Sequence, residues 1–261
     1  MARILITGSA DGLGLNAARE LIAQGHEVVL HTRSAARARD IGSTAERALA
    51  VVTGDLSRLD ETRALARKVN ELGRMDAVIH NAGIFDRSRE ENDEGQLRML
   101  AVNVLAPYVL TADLDRPARL IFISSSMHRG HDARKAQDDM AWRERRWAGS
   151  EAYGESKLLV TTLAMALAVR WPDTIVHAVD PGWVPTKMGG SSASDDLDAG
   201  HQTQAWLAVS DDEQAMGSGG YWFHRRRQQP SSEVNDEAFQ QALLERLRAI
   251  SGVELTALPA D

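Results

Sequence analysis

The feature that most constrains this chain is an alternation. Short apolar runs rich in β-branched residues stand at 3–7 (RILIT), 27–32 (EVVLHT), 48–53 (ALAVVT), 77–80 (AVIH), 119–124 (RLIFIS), 174–179 (TIVHAV) and 221–223 (YWF). Between most of them lie amphipathic stretches such as 13–25, 60–73 and 156–171. Strands that are apolar throughout need covering on both faces, and helices between successive strands provide it for a parallel sheet. The pattern predicts one domain over 1–261. Its class is α/β, a doubly wound parallel sheet of about seven strands with helices on both faces. Ligands belong at the carboxyl ends of such strands. The least regular regions are 128–149, 185–200 and 224–236, and none reads as an interdomain linker. The basic run HRRRQQP at 224–230 reads as a solvated loop.

Composition removes several function classes. A formal charge of −7 argues against a nucleic-acid surface, because phosphate binding needs clustered Lys and Arg. There are no cysteines, so disulfides, thiolate catalysis and Cys-based zinc sites are excluded. No metal site is expected. No apolar run reaches the roughly 20 residues of a membrane span. The chain opens MARILITG, straight into a strand, without the apolar stretch and cleavage site of a signal peptide. The expectation is a cytoplasmic protein with no membrane and no nucleic-acid partner.

The first strand runs into LITGSADGLG (5–14), which places Gly8, Gly12 and Gly14 between a strand and a helix. Glycines allow a tight turn and a close approach of backbone to a pyrophosphate, and the helix N-terminus offers free N–H groups to the anion. A nucleotide site is therefore expected here. An NAD site usually adds an acidic residue roughly 20 positions further on, for the ribose 2′-hydroxyl. This chain has HTRSAARARD (31–40), with Arg33 at the strand end, Arg37 one turn later and no carboxylate before Asp40. A guanidinium suits a 2′-phosphate; the alternative is a water-exposed cation at a helix start. NADP(H) is preferred, and NAD(H) stays open. Asp55, in GDLS after the third strand, either accepts from an adenine amino group or caps the next helix. HNAG (80–83) gives a small turn after the fourth strand, where backbone can flank a cofactor.

At the other end of the ligand edge, RLIFISSSMH (119–128) finishes a strand in three serines. Asn103 is a polar residue in the apolar helix LRMLAVNVLAPYVL (97–110), so it either bends that helix or finds a buried partner. Tyr153 and Lys157 stand four residues apart in SEAYGESKLLV, hence on one helical face. A Tyr ring packed on a Lys stem would give the same spacing. DPGWVPTKMG (180–189) makes a shaped loop after the sixth strand.

Taken together, these residues resemble the short-chain dehydrogenase/reductase family. The matching pieces are TGxxxGxG at Thr7–Gly14, the run Asn81, Ala82, Gly83, then Asn103, the serine cluster, Tyr153-xxx-Lys157 and Pro181–Gly182, in family order. The runs AYGESKL and PGWVPT are most similar to the retinol-dehydrogenase-like branch. The resemblance implies a Rossmann-type fold and a carbonyl–alcohol oxidoreductase of the CH–OH/C=O class. It implies a catalytic set of Asn103, Ser125, Tyr153 and Lys157, with Ser126 as the alternative register for the serine. Tyr153 would exchange the proton, Ser125 fix the substrate oxygen, and Asn103 hold a water leading to Lys157. Cofactor contacts would fall on Gly8, Ser9, Asp11, Gly12, Leu13 and Gly14, on Arg33, Asp55 and Leu56, and on Asn81, Ala82 and Gly83. They continue at Tyr153, Lys157, Pro181, Gly182, Val184 and Thr186. His80 before the NAG run and Asn16 in the first helix depart from the usual pattern.

The chemistry gives the pair a reason. A free phenol titrates near 10, too high for efficient proton exchange at neutral pH. A cation about 4 Å away contributes about 4 kcal/mol at an effective dielectric near 20, so Lys157 is expected to pull Tyr153 down. The other readings are a catalytically silent NADPH-binding sensor and a sugar-nucleotide epimerase or dehydratase. Full retention of the four residues argues against the first. The short stretch after Pro181–Gly182 argues against the second. The expected partner is a small carbonyl or alcohol substrate, in a pocket built from 126–150, 183–205 and the C-terminal tail, with 185–200 as a mobile loop. Trp142, Trp147, Trp183 and Trp206 in those regions hint at an apolar or flat ligand. A homodimer is the default assembly, with the 97–110 helix either at its interface or packed on the sheet.

Overall fold

The computed structural model describes residues 1–255. In chain order it runs β1 (Arg3–Ile6), α1 (Gly12–Ala23), β2 (Glu27–Thr32), α2 (Ala35–Ala38), α3 (Thr44–Arg47), β3 (Ala50–Thr53) and α4 (Leu59–Glu71). There follow β4 (Ala77–His80), α5 (Arg98–Leu100), a π-helical turn over Ala101–Leu105, α6 (Ala106–Asp113) and β5 (Arg119–Ile123). The second half holds α7 (Ala133–Asp138), α8 (Gly149–Arg170), β6 (Ile175–Asp180), α9 (Leu197–Val209), α10 (Glu213–Met216), β7 (Gly220–Phe223), β8 (Arg226–Gln228) and α11 (Glu237–Ser251).

One sheet takes the order β3-β2-β1-β4-β5-β6-β7-β8. Every pairing from β3 to β7 is parallel. Side chains of a strand alternate between faces. Leu5 of β1 therefore joins the core beneath α4, α6 and α8, while Ile4 and Ile6 join the core under α1 and α9. The chain winds outward from β1 in one direction, then restarts at β4 in the other. That reversal opens a crevice at the carboxyl ends of β1 and β4.

One expectation needs correcting. The basic run after β7 is not a loop throughout, because Arg226–Gln228 pairs antiparallel with β7, Tyr221 opposite Gln228. The sheet thus has eight strands, one more than the apolar runs announce. All three β8 residues are exposed, so no apolar face marks the strand, and its arginines suit an edge that must not recruit another chain. The turn residues His224 and Arg225 both have positive φ, at 46° and 59°, without the Asn-Gly signature that usually betrays such a hairpin. The helix of the Tyr–Lys pair, expected across SEAYGESKLLV, runs Gly149–Arg170. The apolar segment 97–110 packs on the sheet, with Met99, Leu100, Val104, Leu105 and Val109 in the core of the single chain. Among the described residues no helix is long and apolar enough to cross a membrane.

Candidate active site

The glycine turn is braced from two sides. Gly8 has a φ of +65°, and a Cβ there would stand 2.9 Å from the Ala82 backbone. The β1 and β4 turns are thus in contact at a point only glycine can occupy. Asn81 Nδ2 donates to Thr7 O at 2.9 Å, and the Ala82 N–H donates to Thr7 Oγ1 at 3.0 Å. From the other side His31, buried on β2, accepts the Gly8 N–H on Nδ1 at 2.9 Å. Its Nε2 meets Gly54 O at 2.9 Å, which fixes the proton on Nε2. Burial pushes His31 down to about 4, so the ring stays neutral in this role. The Ser9 hydroxyl is engaged by Ile6 O and the His31 N–H. Asp11 is the N-cap of α1 but its side chain caps nothing, leaving the first N–H groups of the helix unclaimed by it.

Beyond β2, Arg33 is exposed and has no hydrogen-bond or ion-pair partner among the described residues. Arg37 pairs with Asp11 at 2.5 Å and Asp40 at 2.6 Å. The Asp55 carboxylate accepts from Ser57 N at 2.9 Å and Ser57 Oγ at 2.8 Å, a local turn contact that holds one of its oxygens. Leu56 beside it is buried.

At the reacting end, α8 carries Tyr153 and Lys157 into the crevice. Lys157 is buried and donates to Ile123 O at 2.8 Å. Burial pushes its ammonium down to about 8, although Asp180 pulls the other way. A Cβ on Gly83 would lie 3.5 Å from Lys157 Nζ and 3.6 Å from Asn103 Oδ1, so both polar ends converge on that glycine. Asn103 sits in the π-helical turn and staples the site. Its Oδ1 accepts from Ile84 N at 2.8 Å, while Nδ2 donates to Ile84 O and Ser156 Oγ, both at 3.0 Å. It finds the partners that a buried polar side chain needs. The three serines diverge. Ser124 is buried against Thr161 at 2.5 Å, Ser126 is exposed, and Ser125 remains half-buried at the strand edge.

The phenol departs from expectation. Lys157 Nζ stands 5.5 Å from the Tyr153 ring centroid, and the hydroxyl reaches Met188 Sδ at 3.9 Å. Burial, and then the negative charge of Asp180, push Tyr153 up rather than down.

A family model described as short chain dehydrogenase matches residues 2–134, just over half of the chain. The chain belongs to the short-chain dehydrogenase family. A short-chain dehydrogenase of Penicillium rubens, chyC, is 41% identical over 98% of this chain and 100% of its own. Human retinol dehydrogenase 13 is 28% identical over 96% of this chain and 85% of its own. A crystal structure of a protein from Mycobacterium paratuberculosis matches with a TM-score of 0.84 and 25% identity, covering 98% of this chain and 95% of that one.

This short-chain dehydrogenase is accordingly an oxidoreductase acting on the CH–OH/C=O pair. Its groove fits a nicotinamide dinucleotide on its own chemistry: close-approach glycines, unclaimed helix N–H groups and an unpaired Arg33 follow one another along the crevice. Beside Thr7 of the glycine motif, residues that carry no motif also shape it. Thr7 and Gln204 hold Asn81, the latter at 3.4 Å, and His31 locks Gly8. His128 holds the Ser125 turn by accepting Ser231 N–H on Nε2 while Nδ1 contacts Ser125 O at 2.8 Å. Asp180 accepts the Gly182 N–H at 3.0 Å and so fixes the start of the loop that carries Val184 and Thr186. The family signature does not show His31 or His128, because each acts through backbone contacts far away in sequence.

The tryptophan hint narrows. Trp142 is buried, Trp147 donates to Arg87 O at 2.9 Å, and Trp206 packs on Trp222 with centroids 5.3 Å apart. Only Trp183 of the four is exposed, on the same loop as Met188. Phe85 meets the Tyr153 ring edge to face at 5.5 Å. The run 185–200 is partly helical, since α9 begins at Leu197. His80 turns away from the crevice, onto Thr111 at 3.0 Å and Phe122 at 4.7 Å.

Proposed function

We propose that this chain is an NADP(H)-dependent oxidoreductase that interconverts a carbonyl and an alcohol, with Tyr153 as the acid–base. The observation that carries the reading is the convergence of the buried Lys157 ammonium and Asn103 on Gly83, with the Tyr153 ring centroid 5.5 Å from Lys157 Nζ. The bound nicotinamide supplies or takes the hydride. Ser125 holds the substrate oxygen at the strand edge, and Tyr153 gives that oxygen its proton in the reductive direction. Lys157, held near 8 by burial, is poised to restore the proton to the phenol. Asn103 fixes the backbone around Gly83, where Lys157 arrives. The preference for the 2′-phosphate rests on Arg33, a cation without a partner where an NAD site would carry an acid.

The test is loss of NADPH absorbance with a panel of carbonyl compounds, wild type against Tyr153→Phe. General acid–base catalysis contributes about 10²- to 10⁴-fold, so the variant should lose that much turnover while still binding NADPH. Undiminished turnover in the variant would overturn the acid–base role. Tight NADPH binding with no consumption by wild type, across the panel, would favour the sensor reading instead.

A further inference from the structure

Residues 183–196 form a strap across the mouth of the groove. It is tied within itself: the Trp183 N–H donates to the Asp195 carboxylate at 2.7 Å, the Asp195 N–H to Trp183 O at 2.9 Å, and Trp183 Nε1 to Gly189 O at 3.0 Å. Three successive residues join it to the site. Thr186 Cγ2 lies 3.6 Å from where a Cβ on Gly12 would stand. Lys187 Nζ donates to Asp11 Oδ2 at 2.8 Å. Met188 Sδ is 3.9 Å from the Tyr153 hydroxyl.

Asp11 Oδ2 is shared. Arg37 Nη2 reaches the same oxygen at 2.5 Å, and Arg37 Nη1 continues to Asp40 at 2.6 Å. Two cations from separate segments, Arg37 on α2 and Lys187 on the strap, therefore converge on one carboxylate oxygen beside the N-terminus of α1. Burial opposes the charge on Asp11, but Lys187 and Arg37 outweigh it and hold the carboxyl below its usual range. The carboxylate faces these cations instead of capping its own helix. That is an unusual use of an N-cap acid, whose ordinary partners are the second and third N–H groups.

We propose that Asp11 is a charge-exchange post, holding Lys187 and Arg37 until the phosphates of a dinucleotide take them. Lys187 passes to the pyrophosphate at the helix N-terminus, and Arg37 joins Arg33 on a 2′-phosphate. The proposal rests on the dinucleotide reading of the groove. It couples strap closure to cofactor arrival through one residue. The exchange is energetically accessible, because an exposed ion pair contributes at most about 1 kcal/mol while a phosphate offers charge-assisted hydrogen bonds to the same donors. A carboxylate left beside an incoming pyrophosphate also repels it.

Removing either partner breaks the same ion pair, yet the exchange gives the two changes opposite signs. Asp11→Asn removes the competitor and the repulsion, so NADPH should bind about threefold or more tighter, the scale of one exposed ion pair. Lys187→Met removes a phosphate ligand, so NADPH should bind weaker by about the same factor, with a shallower dependence on salt. For NADH the effect of Lys187→Met should persist. The gain from Asp11→Asn should shrink, since the Arg37 arm then has no 2′-phosphate to meet. Isothermal titration of the full chain reads both affinities without turnover, and melting temperatures establish that the variants are folded. A pair that only braces the strap would shift both variants in one direction, and that result, or no shift in either, overturns the exchange. If the wild-type chain bound neither nucleotide, the dinucleotide reading would fall first, which is a distinct outcome.

Discussion

A phenol one helical turn from an ammonium does not acquire a low pKa from that spacing alone. Lys157 is buried, its own charge is disfavoured, and its Nζ is directed to the Ile123 carbonyl. Asp180, at the end of β6, faces the α8 side of the sheet as Ala178 does two residues earlier. After burial itself, its charge is what pushes Tyr153 up, and it also favours the ammonium of Lys157. The consequence has a definite sign. Reduction needs a protonated phenol, so its rate falls on the alkaline side as Tyr153 ionises. Asp180→Asn keeps an oxygen to accept the Gly182 N–H but removes the charge. Tyr153 and Lys157 then both lose their protons at lower pH. The alkaline limb of kcat/KM for carbonyl reduction should move to lower pH, measured with saturating NADPH. A limb that stayed in place or moved upward would remove Asp180 from the electrostatics of the site.

Among the elements, α8 and the segment before it set how firmly the site is held. Glu155 lies on α8 between Tyr153 and Lys157, and Arg145 grips it through two bonds of 2.7 and 2.9 Å. The same guanidinium reaches Asp139 at 3.1 Å and lies 4.0 Å over the Trp142 ring. Segment 128–149, irregular in sequence, is thus fastened to the helix by one arginine. Arg145→Met strands a carboxylate that is 5% exposed. Breaking a buried pair on one side costs about 3 kcal/mol or more. Urea unfolding should show that loss, with Arg145→Met/Glu155→Leu recovering part of it because the more buried of the two carboxylates is gone, while Asp139 keeps the N–H groups of Arg143 and Glu144. A loss no larger than that of the exposed Arg134→Met would deny Arg145 this role. The same segment shows where the sequence is legible. The strands and the first helix are readable because apolar period and glycine position act locally. The π-helical turn at Asn103 and the edge strand β8 are not, because a staple to Ile84 and pairing with β7 decide them. The site divides in the same way: the glycines, Asn103, Tyr153 and Lys157 stand out by type and spacing, while His31, His128 and Gln204 work through tertiary contacts.

At the scale of the whole molecule, the chain buries neutral imidazoles at separate points of its architecture. His31 joins the β1 turn to Gly54, His80 stacks on Phe122 under α6, and His177 on β6 accepts from Gly220 N–H and Trp222 Nε1–H, each at 3.2 Å, while meeting Ala215 O at 3.0 Å. Burial is the leading cause in all three, and it pushes His31 to about 4, His80 to about 3 and His177 to about 4. Each therefore binds its proton less readily folded than unfolded, where the imidazole titrates near 6.5. The stability these residues confer is fully present above pH 6.5 and is lost as pH falls through a window that ends at about 4 for His31 and His177 and about 3 for His80. At pH 5 the loss is about 2 kcal/mol per histidine, from the gap of about one and a half pH units below the unfolded value. Urea midpoints should therefore drop steeply between pH 7.5 and pH 5.0. His31→Gln, which keeps a donor and an acceptor for Gly54 and Gly8, should remove its own share of that drop, about 2 kcal/mol at pH 5, while leaving the rest. An unchanged pH dependence in this variant would mean that His31 takes its proton without unfolding the turn. Because His31 braces Gly8, nucleotide affinity should weaken in the same pH window as stability, and less so in the glutamine variant.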